Sequence, residues 1–307
     1  MRTVLVAALL LAPPAAAQEG AGGAPTYEEL AASPPRFLAL MDRALGWQDP
    51  APPAPVVGPV SFVGTRGLAM WVIETSDGLI LMNTGMPGSG PVVEASIRAL
   101  GLDPADVRII LAGHGHVDHV GGHAYMQRLS GAEIAMMEDD ADLLETGGRS
   151  DFFYRDQPAF AYEPVAVDRR LREGDRIVLG EVALTALATP GHTRGATTFV
   201  MDAVEGDRSY RVVFPDGTGV NPGYRVERQE TYPGQGDDYR RTFATLELLR
   251  PDIWLPLHNE QGDLMAKIAR SEAEGAGAFV DPEGYRTFVR DVRAAFEARV
   301  DAELARE

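Results

Sequence analysis

The stretch Gly113-His114-Gly115-His116-Val117-Asp118-His119-Val120-Gly121-Gly122-His123 holds four of the six histidines in the chain. An apolar run, Val107-Arg108-Ile109-Ile110-Leu111-Ala112, leads into it and reads as a buried strand: short, β-branched and ended by Gly113. If the chain stays extended past that strand, His114, His116 and Asp118 project to one side, because side chains alternate with period two. His119 follows where the chain turns at Gly121-Gly122, so it can aim at a neighbouring point. Imidazole nitrogens with one carboxylate are what zinc takes, and two nearby groups of ligands suggest two ions. A polar loop with chance histidines is the bland alternative. The concentration of histidine argues for a metal site.

The rest of the composition narrows what such a site serves. A chain of 307 residues can bury one large core or two modest ones. Its formal net charge of -17 repels phosphate backbones, so a nuclease or nucleic-acid binder is disfavoured. With no cysteine, disulfides, thiolate ligands and a cysteine nucleophile are excluded together. Met1-Arg2, the apolar run from Val4 to Leu11, and Ala15-Ala16-Ala17 before Gln18 fit a cleaved signal peptide over residues 1–17. The mature protein is then expected to be soluble and periplasmic, without a membrane span.

In chain order, residues 18–51 form an N-terminal segment. Thr26-Tyr27-Glu28-Glu29 fits a capping box that opens a helix from Tyr27 to Leu45, with an interruption at Pro34-Pro35. Asp49 to Pro55 is a stiff connector. From residue 52 to 307 short strands and helices follow. Strands are expected at Val56–Val63, Ala69–Glu74 and Leu79–Met82, the last two joined by the turn Thr75-Ser76-Asp77-Gly78. A helix opens at Pro91. Beyond the motif come a helix from His123, a strand Glu133–Met137 and an acidic helix from Glu138. A long loop then carries Phe152, Phe153 and Tyr154, which either cap the core or wall a pocket. Strands around Gly180, at Val182–Thr189, Thr197–Asp202 and Tyr210–Phe214, a helix Asp238–Leu249, a strand Ile253–Leu257 and two helices complete the chain. This grouping predicts an α/β (α+β) fold: two mixed sheets with helices on the outer faces.

His192 and His258 each sit directly after a strand, as the motif does, and strand ends are the usual place for a site in such sheets. Together, Thr189-Pro190-Gly191-His192-Thr193 and Gly113 to Gly122 resemble the metallo-β-lactamase superfamily. The likeness covers nearly the whole mature chain and is nearest to the third subclass of class B metallo-β-lactamases. Asn83-Thr84-Gly85-Met86-Pro87, Gly147 to Phe152, Asn221-Pro222-Gly223-Tyr224 and Asp237 to Thr245 support it.

The resemblance implies an αββα sandwich with two zinc ions, the first held by His114, His116 and His192, the second by Asp118, His119 and His258. His123 is left as an ordinary helix or supporting residue. It also implies hydrolysis of a β-lactam amide by a hydroxide that Asp118 helps to orient, in a protein expected to be monomeric.

The sequence departs from that pattern in places. Gly217 and Gly219 stand where serines usually bind the substrate carboxylate, leaving Thr218, Asn221 or Arg225 to substitute, with Phe153 as a further candidate contact. Gly113 stands where serine or threonine commonly precedes the motif, and the disulfide many members carry is absent. Asp216 reads as the turn residue of Pro-Asp-Gly. Lactonases and thioester hydrolases of the superfamily place a metal-bridging aspartate in this region, so an exported lactonase or other ester-bond hydrolase is the competing expectation. A zinc-binding protein without turnover is the third.

Overall fold

The computed structural model describes residues 25–305. The signal peptide expected over 1–17 lies outside the described residues. The chain opens with α1 (Tyr27–Ala31) and α2 (Pro34–Leu45). The capping box is formed: Thr26 Oγ1 accepts from Glu29 N at 3.2 Å, and Glu29 Oε2 accepts from Thr26 N at 2.9 Å. The break between the helices falls just before Pro34-Pro35, because proline can begin a helix but not continue one.

A first sheet of seven strands follows, in the spatial order β1 to β7. Its strands are β1 (Ala54–Val57), β2 (Val60–Phe62), β3 (Trp71–Thr75), β4 (Gly78–Met82), β5 (Val107–Leu111), β6 (Glu133–Met137) and β7 (Arg169–Leu171). β1 to β4 pair antiparallel; β4 to β7 pair parallel, with α3 (Gly90–Ala99), α5 (His123–Ser130) and α6 (Glu138–Thr146) in the crossovers. The single strand expected over Val56–Val63 is in fact the hairpin β1–β2. Gly58 turns it at φ 50°, a conformation open to glycine at little cost.

The second sheet has five strands: β8 (Arg176–Leu179), β9 (Val182–Ala188), β10 (Thr197–Glu205), β11 (Arg208–Phe214) and β12 (Ile253–Trp254), in the order β12-β11-β10-β9-β8. Three helices close the chain: α7 (Gln235–Leu248), α8 (Leu264–Glu274) and α9 (Pro282–Leu304). No helix among the described residues is long and apolar enough to cross a membrane.

The layers follow from strand periodicity. Ile73, Ile80, Ile109 and Leu111 of the first sheet face Leu184, Phe199, Val212 and Phe214 of the second, forming an apolar central core. The intervening residues Val72, Leu81 and Ile110 turn outward and are covered by helices. On the far side, Val213 and Trp254 lie under Leu246, Tyr285 and Val289. The result is the expected αββα sandwich, and its strand ends meet along one edge.

Candidate metal centre

Four strand ends build the site. After β5, Gly113 N donates to Asn83 Oδ1 at 3.2 Å, while Gly113 O accepts from Thr197 N of β10 at 2.7 Å, so one residue ties both sheets together. Asn83, at the end of β4, takes φ 62°, which asparagine tolerates better than most residues. His192 follows β9. His258 follows β12, held by Ala69 N donating to Leu257 O at 3.0 Å.

The chain does not stay extended through the motif. His116 is the last extended residue, and Val117–Val120 forms one helical turn, α4, with His116 O accepting from His119 N and Val120 N. Coiling cancels the period-two alternation, so Asp118 lies beside His119 rather than in line with His114 and His116.

The structure nevertheless brings all six expected side chains together. His114, His116 and His192 form one group with ligand atoms within 4.8 Å of one another; His114, Asp118 and His119 form a second. His258 joins the latter: its Nε2 lies 3.2 Å from His119 Nε2 and 3.6 Å from Asp118 Oδ2, and His119 Nε2 is 3.4 Å from the same oxygen.

Behind the cluster, other groups fix the rings. His114 Nδ1 donates to Asp216 Oδ2 at 2.7 Å, His192 Nδ1 to Gly219 O at 2.7 Å, and His116 Nε2 to Asp151 Oδ2 at 3.2 Å. Carboxylate and carbonyl acceptors on the outer nitrogen fix the tautomer, aim the inner nitrogen and raise its basicity. His114 Nε2 is then left buried without any hydrogen-bond partner. A buried polar atom left this way costs free energy unless something binds it.

The electrostatics agree. Burial and the surrounding imidazoles hold His114 well below the ordinary histidine range; burial above all lowers His192 to about 3 and His258 to about 4. These rings are therefore neutral near pH 7, with lone pairs free, as metal binding requires. Burial pushes Asp118 up, but His119 and His258 outweigh it and keep the carboxyl ionised. Neutral imidazoles at His114, His192 and His258, one anionic carboxylate and an orphaned inward nitrogen fit a metal ion; at His116 burial acts the same way, but the Asp151 carboxylate against it pulls the other way and raises that ring. His116, His114 and His192 on one side and Asp118, His119 and His258 on the other could each hold one.

Asp140 braces the arrangement. Fully buried, it accepts from Gly115 N at 3.0 Å, Thr193 Oγ1 at 2.6 Å and Gly195 N at 2.7 Å, joining the motif loop to the His192 loop. His123 lies one layer back, its Nδ1 2.7 Å from Thr84 Oγ1.

The cluster opens into a cavity whose lining includes Thr218 and Asn221. Arg225 and Phe153, the other two expected substrate contacts, are not on that lining. Arg225 is an exposed residue whose N–H donates to Gln229, and Phe153 packs edge-on against Tyr154 and Tyr224. Asp216 is not a mere turn residue, nor does it stand between the two groups: Oδ2 accepts from His114 and Oδ1 from Gly217 N at 2.7 Å.

Sequence reading missed Asp151, Asp140 and Trp47. Asp151 lies 35 residues from His116, and Asp140 25 residues from Gly115, the groups they hold. Trp47 belongs to the N-terminal segment, yet its ring rests 5.5 Å from that of His258.

The family model described as "Metallo-beta-lactamase superfamily" matches residues 63–203. Among solved structures, the native FEZ-1 metallo-β-lactamase of Legionella gormanii is 34% identical with a TM-score of 0.81, covering 83% of this chain and 97% of that one. The class B3 di-zinc metallo-β-lactamase LRA-12 from an Alaskan soil metagenome is 31% identical with a TM-score of 0.79, covering 83% and 96%. A probable metallo-hydrolase of Burkholderia pseudomallei is 32% identical over 142 residues, and the match spans only 46% of each protein. The chain belongs to the metallo-β-lactamase superfamily, a family of hydrolases, and class B3 enzymes are among the structures it resembles.

Proposed function

We propose that the protein hydrolyses the amide bond of β-lactam antibiotics with two zinc ions. The observation that carries this reading is the convergence of His116, His192, Asp118, His119 and His258 on His114, whose Nε2 is partnerless, at the mouth of an open cavity. Likeness over 83% of this chain to metallo-β-lactamase structures, a class B3 enzyme among them, supports the choice of substrate.

His114, His116 and His192 hold the first zinc; Asp118, His119 and His258 hold the second. Bound there, the metal would supply Lewis acidity and lower the pKa of a water to about 7. The protein's own groups do the rest. Asp216, Asp151 and the Gly219 carbonyl keep three imidazoles aimed inward. Asp118, held ionised by its histidine neighbours, would accept a hydrogen bond from the attacking water and so orient it. Thr218 and Asn221 offer polar contacts to the substrate carboxylate beside the metals. No serine or other side-chain nucleophile is required. The engagement of both Asp216 oxygens disfavours the lactonase reading, which needs a carboxylate free to bridge two ions. The signal-like residues 1–17 support a periplasmic site of action.

The test is a panel of a penicillin, a cephalosporin and a carbapenem with the zinc-loaded protein and its His116→Ala variant. Hydrolysis that disappears in the folded, zinc-poor variant is expected; near-normal turnover by that variant refutes the mechanism.

A further inference from the structure

The cavity does not end at the imidazoles. It continues between α2 and α9 as a cleft, with a total volume of about 700 Å³. One wall is the apolar face of α2, with Phe37, Leu38 and Met41. The other is a stripe of α9 at helical spacing, Phe288, Val292 and Phe296. Apolar stripes of neighbouring helices normally close on each other. Here they leave room between them.

The cleft is joined to the metal cluster at one end through Trp47, which packs on His258. At the other end Trp254 stacks on Phe288 with ring centroids 4.9 Å apart. The cation at that end is already served: Lys267 Nζ donates to Asp281 Oδ2 at 2.7 Å, and Asp281 Oδ1 accepts from Gly284 N at 2.9 Å. Arg270 Nε lies 3.7 Å from Glu274 Oε1 and Arg299 stacks on Tyr27, so the other cations on the lining also have partners within the protein, and the apolar faces of α2 and α9 between them hold water poorly. Ligand sites of this size are mostly apolar, with a few polar groups at the reacting end.

We propose that the cleft between α2 and α9 receives a long apolar arm of the substrate while its amide sits at the metal cluster. The preferred substrates are then β-lactams whose acyl substituent is an extended alkyl or arylalkyl chain. This rests on the β-lactamase reading for the bond cleaved, but not for the arm.

The test uses 6-alkanoylaminopenicillanic acids with acyl chains from acetyl to decanoyl and the zinc-loaded mature protein. kcat/KM is expected to climb with chain length by up to about fourfold per buried methylene. Ala295→Trp, which fills the cleft from α9, and Ala266→Trp, from the exposed face of α8, should flatten that climb. Ala266→Trp carries the test alone if the other variant fails to fold. A flat series in the natural protein, or an equal climb in both variants, overturns the proposal.

If no member is hydrolysed, the β-lactam reading falls and the cleft is judged by binding. N-alkanoylglycines from acetyl to decanoyl are titrated calorimetrically into the zinc-loaded protein. Affinity rising with chain length and lost on filling the cleft supports the arm site; affinity independent of length overturns it.

Discussion

Asp216 Oδ2 receives the Nδ1 proton of His114 at 2.7 Å, in space that any side chain at position 113 would claim. The glycine before the motif and the aspartate after β11 are therefore two halves of one feature. Gly113 leaves the gap, and Asp216 fills it and fixes the ring. Burial raises the Asp216 carboxyl to about 6, yet both its oxygens have donors.

Removing that acceptor should weaken metal binding without touching a ligand. Asp216→Ala is expected to lower zinc affinity about 10–100-fold, and Asp216→Asn, which keeps an oxygen, by less. Competition with a chromogenic chelator measures both. Unchanged affinity in Asp216→Ala would remove the aspartate from the account.

Asp140 should act on the scaffold. Its replacement by alanine strands Gly115 N–H, Gly195 N–H and the Thr193 hydroxyl in a buried place. At about 1–3 kcal/mol for each buried unpaired group, the loss should reach about 3 kcal/mol or more in the metal-free protein. Denaturant unfolding reads it directly; a midpoint within error of the natural protein would contradict the bracing role.

The missing serines separate into two cases. Gly217 has φ 84° and a Cβ there would run into the Thr189 carbonyl, so Gly217→Ser should destabilise the loop. A Cβ at Gly219 meets only the His192 ring, at 3.5 Å, an ordinary contact. Gly219→Ser should fold normally and lower KM for β-lactams about 2–10-fold, the worth of one added hydrogen bond. Steady-state kinetics and thermal melts on the two variants test the distinction; equal melting temperatures would refute it.

What could be read in the sequence was local. The strand Val107–Leu111, the crowded histidines, the capping box at Thr26 and the strand Glu133–Met137 declare themselves within a few residues, and the paired motifs identified the fold. The pairing of His114 with Asp216, of His116 with Asp151, and of Asp140 with two loops depends on sheet order, which no short window encodes. The helical turn after His116 was missed for a related reason: its coil is fixed by Thr84 N donating to His119 O, from another strand end. The N-terminal helices read as an attached segment, whereas Trp47 and the face of α2 line the cavity.

The central claim is a zinc-dependent β-lactamase, and the most direct measurement is carbapenem absorbance with the purified mature protein, zinc added, then chelated, then restored. The account predicts rapid loss that stops with chelator and returns with zinc. No loss of carbapenem, penicillin or cephalosporin from a protein shown to hold two zinc ions would contradict it.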